Sequence, residues 1–95
     1  MRALTDKQKN AVNRVRRMER IFNILLSAPP NRVLADKRLR KLYKRLVRYY
    51  TGGKWLADYT LDEKGGLPPS LKRGVLSQDG VYDLLSAVET VDNNK

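Results

Sequence analysis

The chain has no cysteine and no histidine. No disulfide can form, and the usual ligands of zinc and haem, the thiolate nucleophile and the imidazole base are all missing. Most enzyme chemistries are thereby excluded. Acid is scarce too: 10 Asp and Glu stand against 20 Lys and Arg, a net charge of +10 on 95 residues. Long hydrophobic runs are absent. The longest near-apolar stretch, residues 21–28, includes Asn23 and Ser27, whereas a membrane span needs about 20 apolar residues. The N-terminal residues turn polar at once and carry no apolar leader, which reads as a cytoplasmic protein. What is present is a 41% share of apolar residues, enough for one small folded domain.

Helical periodicity organises that share. Thr5-Asp6-Lys7-Gln8 has the Thr and Gln spacing of a capping box, so a helix is expected over residues 6–28. Along it Ala11, Val15, Met18, Phe22 and Leu25 recur at spacings of 4, 3, 4 and 3, and Val12, Ile21 and Leu26 widen the stripe. Pro29-Pro30 stops it. A second pattern of Leu39, Leu42, Leu46 and Tyr49 predicts a helix over 31–51 or 36–51, capped by Asn31 or Asp36 and closed by Gly52-Gly53. A short helix over 54–61 would place Trp55, Leu56 and Tyr59 on one face, and 62–76 reads as loop. Ser77 caps a last helix over 78–91, built on Val81, Leu84, Leu85, Val88 and Val91. The expected fold class is all-α: a small bundle made of an antiparallel helical hairpin and a C-terminal helix. The 4-3 spacing also suits a coiled-coil dimer, but each seam spans only about three heptads, which favours a monomer.

The charge is unevenly placed. Residues 1–54 carry 16 basic and 3 acidic side chains, and the remainder 4 basic and 7 acidic. On the second helix Lys37, Lys41, Lys44 and Arg48 follow at spacings of 4, 3 and 4, with Arg40 and Arg45 beside them. Arg16, Arg17 and Arg20 continue the basic character on the first. Ordinary solvated helix faces mix signs, because like charges three or four residues apart repel by a few tenths of a kcal/mol. A polyanion relieves that repulsion, and nucleic acid, bound through its phosphates, is the leading expectation. An acidic protein partner is the alternative, whereas a membrane surface is disfavoured because the apolar stripes are needed for the core. Tyr43, Tyr49, Tyr50, Trp55 and Tyr59 cluster nearby, but their positions beside the seam and after a glycine turn suit packing better than base stacking.

In the second half the chain reads Tyr49-Tyr50-Thr51-Gly52-Gly53-Lys54-Trp55, then Asp58, Gly65, Leu67-Pro68, and Leu71-Lys72-Arg73-Gly74-Val75-Leu76-Ser77 before Asp79 and Tyr82. This resembles a bacterial family of small proteins catalogued as domain of unknown function 4298, most specifically over residues 49–85, with Met18-Glu19 matching an early Met-Glu pair. The resemblance implies an all-helical domain and no particular activity. Two departures are evident: the first two helices are basic where the family's are richer in acids, and Pro29-Pro30 interrupts a region that is more continuous in other members. The basic hairpin is therefore expected to be a specialisation of this chain.

Lys72 and Arg73 precede a helix start and form a possible anion site, unless Asp58, Asp62 or Asp83 pairs with them. Asp58, Asp62, Asp79 and Asp83 are the acids available to catalysis, yet their spacing matches neither a calcium loop nor a general acid–base pair, and Gly65-Gly66 lacks the Lys and hydroxyl of a phosphate-cradling loop. No catalytic, cofactor or metal residue is expected. The sequence thus points to a small non-enzymatic protein whose hairpin contacts phosphates with little sequence preference.

Overall fold

The computed structural model describes residues 3–93. Its elements are α1 (Asp6–Leu26), α2 (Pro30–Ala35), α3 (Lys37–Thr51), α4 (Lys54–Glu63), a 3-10 turn (Gly74–Leu76) and α5 (Gln78–Asn93). The described residues are all-α, arranged as a small bundle 52 Å long and 20 Å across.

The capping box at the start of α1 forms as its residue types dictate: the Gln8 N–H donates to Thr5 Oγ1 at 3.1 Å, and the Thr5 N–H donates to Gln8 Oε1 at 2.8 Å. Ala11, Val12, Val15, Ile21, Phe22 and Leu25 are buried along one side. Leu26, expected to widen that stripe, is instead 53% exposed. It lies in the last turn of α1, where Ser27 donates its hydroxyl to the Asn23 carbonyl and the chain begins to turn away.

Between the long helices the structure takes the later of the two expected starts, with Asp36 as the cap of α3, and adds a short helix ahead of it. Pro29-Pro30 ends α1 and also opens α2, with Pro30 at the first helical position, where its missing N–H costs nothing. Asn31 therefore lies inside α2. Asp36 adopts an extended conformation that breaks the helix, and its Oδ1 accepts from the N–H groups of Arg38 and Leu39 at 2.9 and 3.1 Å, capping α3. The six-residue α2 buries Val33 and packs against α3 and α5. Beyond it α3 runs back along α1, since Tyr49 at its far end and Arg14 in the first half of α1 meet on one carboxylate.

Gly53, at φ 95°, takes the left-handed conformation needed for the turn into α4. At the other end of α4 the Gly66 N–H donates to the Leu61 carbonyl at 2.9 Å and the Gly65 N–H to Asp62 at 3.0 Å, with Gly65 at φ 75°. This paired closure satisfies carbonyls that a helix end would leave open. On α4 Trp55 and Asp58 face inward, while Leu56, expected beside Trp55, is 59% exposed. Residues 64–77 are not merely a loop. Leu67, Leu71, Val75 and Leu76 are buried in the same core as Val15, Leu46, Val81 and Val88. Ser77 accepts the Gly80 N–H at 3.3 Å at the start of α5. The seams of both long helices are thus covered by elements of their own chain.

Candidate functional site

Positions along α3 advance by about 100° per residue, so Lys37, Lys41, Lys44 and Arg48 fall within an arc of about 60° opposite Leu39, Leu42 and Leu46. Arg40 and Arg45 flank that arc on either side. All six side chains are exposed, as are Arg16, Arg17 and Arg20 on α1. The ion pairs recorded among the described residues, Arg14 with Asp58 and Arg73 with Asp62, involve none of these nine cations.

The local acids do not compensate them, for a structural reason. Asp36 is held at the start of α3 by two backbone N–H groups. Glu19 turns toward the 3-10 turn, where its Oε1 accepts the Val75 N–H at 2.7 Å and its Oε2 an Asn23 amide hydrogen at 3.3 Å. Asp6 stands in the first turn of α1, where a carboxylate favours the positive helix end. Each of the three acids in the first 54 residues therefore serves helix or loop geometry, leaving an extended cationic surface.

Arg14 is the exception among the cations of the hairpin. Its Nε donates to Asp58 Oδ2 at 2.9 Å and its Nη2 to Oδ1 at 2.5 Å, while the Tyr49 hydroxyl donates to Oδ2 at 2.7 Å. Asp58 is 1% exposed, so this two-pronged partner and the phenol replace the water it has lost. Hydrogen bonding to Asp58 holds the Arg14 proton more firmly than usual, against the opposing effect of burial. Burial, and then donation to the Asp58 carboxylate, pushes the Tyr49 hydroxyl far above the ordinary tyrosine range. Tyr43 is raised as well, by burial and then by the charges of Glu89 and Asp92.

These shifts carry a pH prediction. A raised folded-state value for Tyr49 supplies stability that is fully present below the unfolded value of 10.0 and is lost as pH climbs above it. Denaturant midpoints are expected to fall above pH 10, and tyrosinate absorbance to show a late fraction that rises with unfolding. Full ionisation of every tyrosine while the helical signal is retained would contradict the buried Tyr49–Asp58 contact.

A second polar centre lies around Val75. Its N–H is taken by Glu19 and its carbonyl by the Trp55 indole N–H at 2.8 Å. Tyr50 meets the Trp55 ring edge-on at 5.0 Å and Tyr59 stacks on it at 5.1 Å. These three rings are packed against one another. Beside Val75, Gly74 sits against Glu19, where an added Cβ would lie 3.2 Å from Oε2. Arg73 donates to Asp62 and to the carbonyls of Leu71 and Pro68. The suggested Lys72 and Arg73 site is therefore not brought together: Arg73 fastens the loop to α4, and Lys72 is left exposed by itself.

Sequence reasoning missed the Arg14–Asp58 and Glu19–Val75 contacts. The signals were faint but physical. Asp58 follows Trp55 by three residues and so shares its inward face, and Arg14 lies three residues after Ala11 and four before Met18, at the edge of the apolar stripe. Among the described residues no group of three or more acids could hold a metal ion, and no helix is long and apolar enough to cross a membrane.

The motif residues of the second half thus meet in space: Tyr49 with Asp58, Tyr50 with Trp55, and Trp55 with the Gly74-Val75 step, which also grips Glu19 of the first helix. No curated protein and no solved structure matches the chain. A family model does match, over residues 15–93, and the chain belongs to that family, described as a domain of unknown function (DUF4298).

Proposed function

We propose that this is a non-enzymatic, cytoplasmic, nucleic-acid-binding protein that contacts phosphates through the outer faces of α1 and α3. The observation that carries the reading is the set of nine exposed cations, none in an ion pair among the described residues, on a hairpin whose own acids are drawn to helix starts and to the Val75 peptide. Lys37, Lys41, Lys44 and Arg48 form the central row, which extends about 16 Å along the helix and matches several consecutive phosphates. Arg40 and Arg45 flank it, and Arg16, Arg17 and Arg20 extend the field onto α1. Lysine and arginine at phosphates fix position without reading bases, so little sequence preference is expected.

The test is fluorescence anisotropy of labelled duplex DNA, single-stranded DNA and RNA titrated with the protein at two salt concentrations. The expected result is binding that weakens steeply with salt and changes little when the probe sequence is scrambled. Negligible binding to all three probes near physiological salt would reject the reading.

A further inference from the structure

A groove of about 1380 Å³ separates the first half of α1 from α4 and is completed by the turn at residues 65–69. On α1 the wall is the stripe Lys7, Ala11 and Arg14, preceded by Leu4, and on α4 it is made by Leu56, Ala57, Thr60 and Leu61, with Lys64 at the helix end and Leu67 and Pro68 adding apolar surface from the turn. The volume exceeds the 300–1,000 Å³ or so typical of small-molecule pockets. A groove walled by a helix on each side is instead the kind of trough that accepts a third helix. Leu56 lines it while 59% exposed, a large apolar side chain left mostly open to solvent.

The charge around the trough selects its occupant. Lys7 and Lys64 are exposed on the rim, whereas the carboxylate among the lining residues, Asp58, is buried and compensated by Arg14. An apolar floor with a cationic rim complements a helix with an apolar ridge and acidic flanks. A second copy of this chain does not meet that description. Its net charge is +10, and its acid-bearing helix α5 has Val81, Leu84 and Val88 buried in its own core. We propose that the groove docks an acidic amphipathic helix of a partner protein, about three turns long, with apolar residues at i, i+3 or i+4 and i+7. The length follows from the α1 wall, about 10 Å of helix from Lys7 to Arg14 together with the residues from Leu4 that precede it. None of the nine cations assigned to phosphates lines this groove, so the inference stands independently of the nucleic-acid reading.

The test uses the full chain, isotopically labelled, and a synthetic helical peptide carrying leucines at that spacing and glutamates elsewhere. A matched peptide with lysines in place of the glutamates is the control. Saturable amide shifts are expected in residues 4–14 and 56–67 with the acidic peptide only. They should persist in a chain carrying Lys41→Gln, Lys44→Gln and Arg48→Gln, and Leu56→Glu should weaken the peptide by about tenfold or more. Because Leu56 is exposed, that variant is expected to keep its melting temperature, which is measured alongside. Four results would overturn the proposal: shifts confined to the outer faces of α1 and α3 and lost in the triple variant, equal binding of the lysine peptide, groove shifts that depend on protein concentration without peptide, or no shifts at all.

Discussion

Asp58→Ala is expected to be the most damaging single substitution at a polar position, costing about 3–5 kcal/mol, the range for removing one partner of a buried ion pair. The loss is not that of one contact. Arg14 is left partly buried with its charge uncompensated, and the Tyr49 hydroxyl, buried beside it, loses its acceptor. An unsatisfied buried hydroxyl alone costs about 1–3 kcal/mol. Arg14 retains 22% exposure and can recover some water, which holds the total toward the lower end. Against a typical stability of about 5–15 kcal/mol this is a large fraction, visible as a fall in melting temperature of about 15–30 °C. Asp58→Asn keeps an acceptor for Tyr49 and loses the charge, so it should fall between the wild type and the alanine variant. Thermal and denaturant unfolding of the three proteins checks the order. An alanine variant as stable as the wild type would show that Arg14 and Tyr49 do not depend on this carboxylate.

The second large effect concerns binding rather than stability. Changing Lys41, Lys44 and Arg48 together to glutamine removes three cations from the centre of the α3 row. If each meets a phosphate, the slope of log affinity against log salt should flatten by about 0.9 per contact on duplex DNA, and affinity near physiological salt should drop by about a hundredfold. The fold should be untouched, because all three side chains point to solvent and their mutual repulsion is relieved. Matched circular dichroism and melting curves separate the two effects. An unchanged salt slope in a correctly folded variant would remove α3 from the interface.

How much was legible in the sequence can be judged at particular residues. The apolar stripes of α1, α3 and α5 were readable because a 3.6-residue period repeated over several turns leaves few alternatives, and the capping box at Thr5 and Gln8 was readable because both partners lie within one turn. The connection was harder. Pro29-Pro30 carries both a stop signal and a start signal, and only packing of Val33 against the rest of the core makes a six-residue helix worth forming there. Leu26 and Leu56 were misplaced because helical phase alone does not say where a neighbouring element ends. The exposed cations were visible as a pattern, while Arg14 differs from them only through Asp58, 44 residues away. Such pairings are set by the tertiary fold, and a single sequence offers at most an acid on an inward face as a hint.

The Val75 peptide ties together segments far apart in the chain: its N–H belongs to Glu19, 56 residues earlier, and its carbonyl to Trp55, 20 residues earlier. During synthesis α1, α2 and α3 therefore emerge before the contacts that complete their inner faces exist. Val33 in turn must await α5, against which α2 packs. The cationic hairpin thus leaves the ribosome with its apolar side incompletely covered, and cooperative folding must await nearly the last helix. A cell making this protein has a nascent chain that is already strongly basic before it is folded, so exposure to polyanions begins during translation.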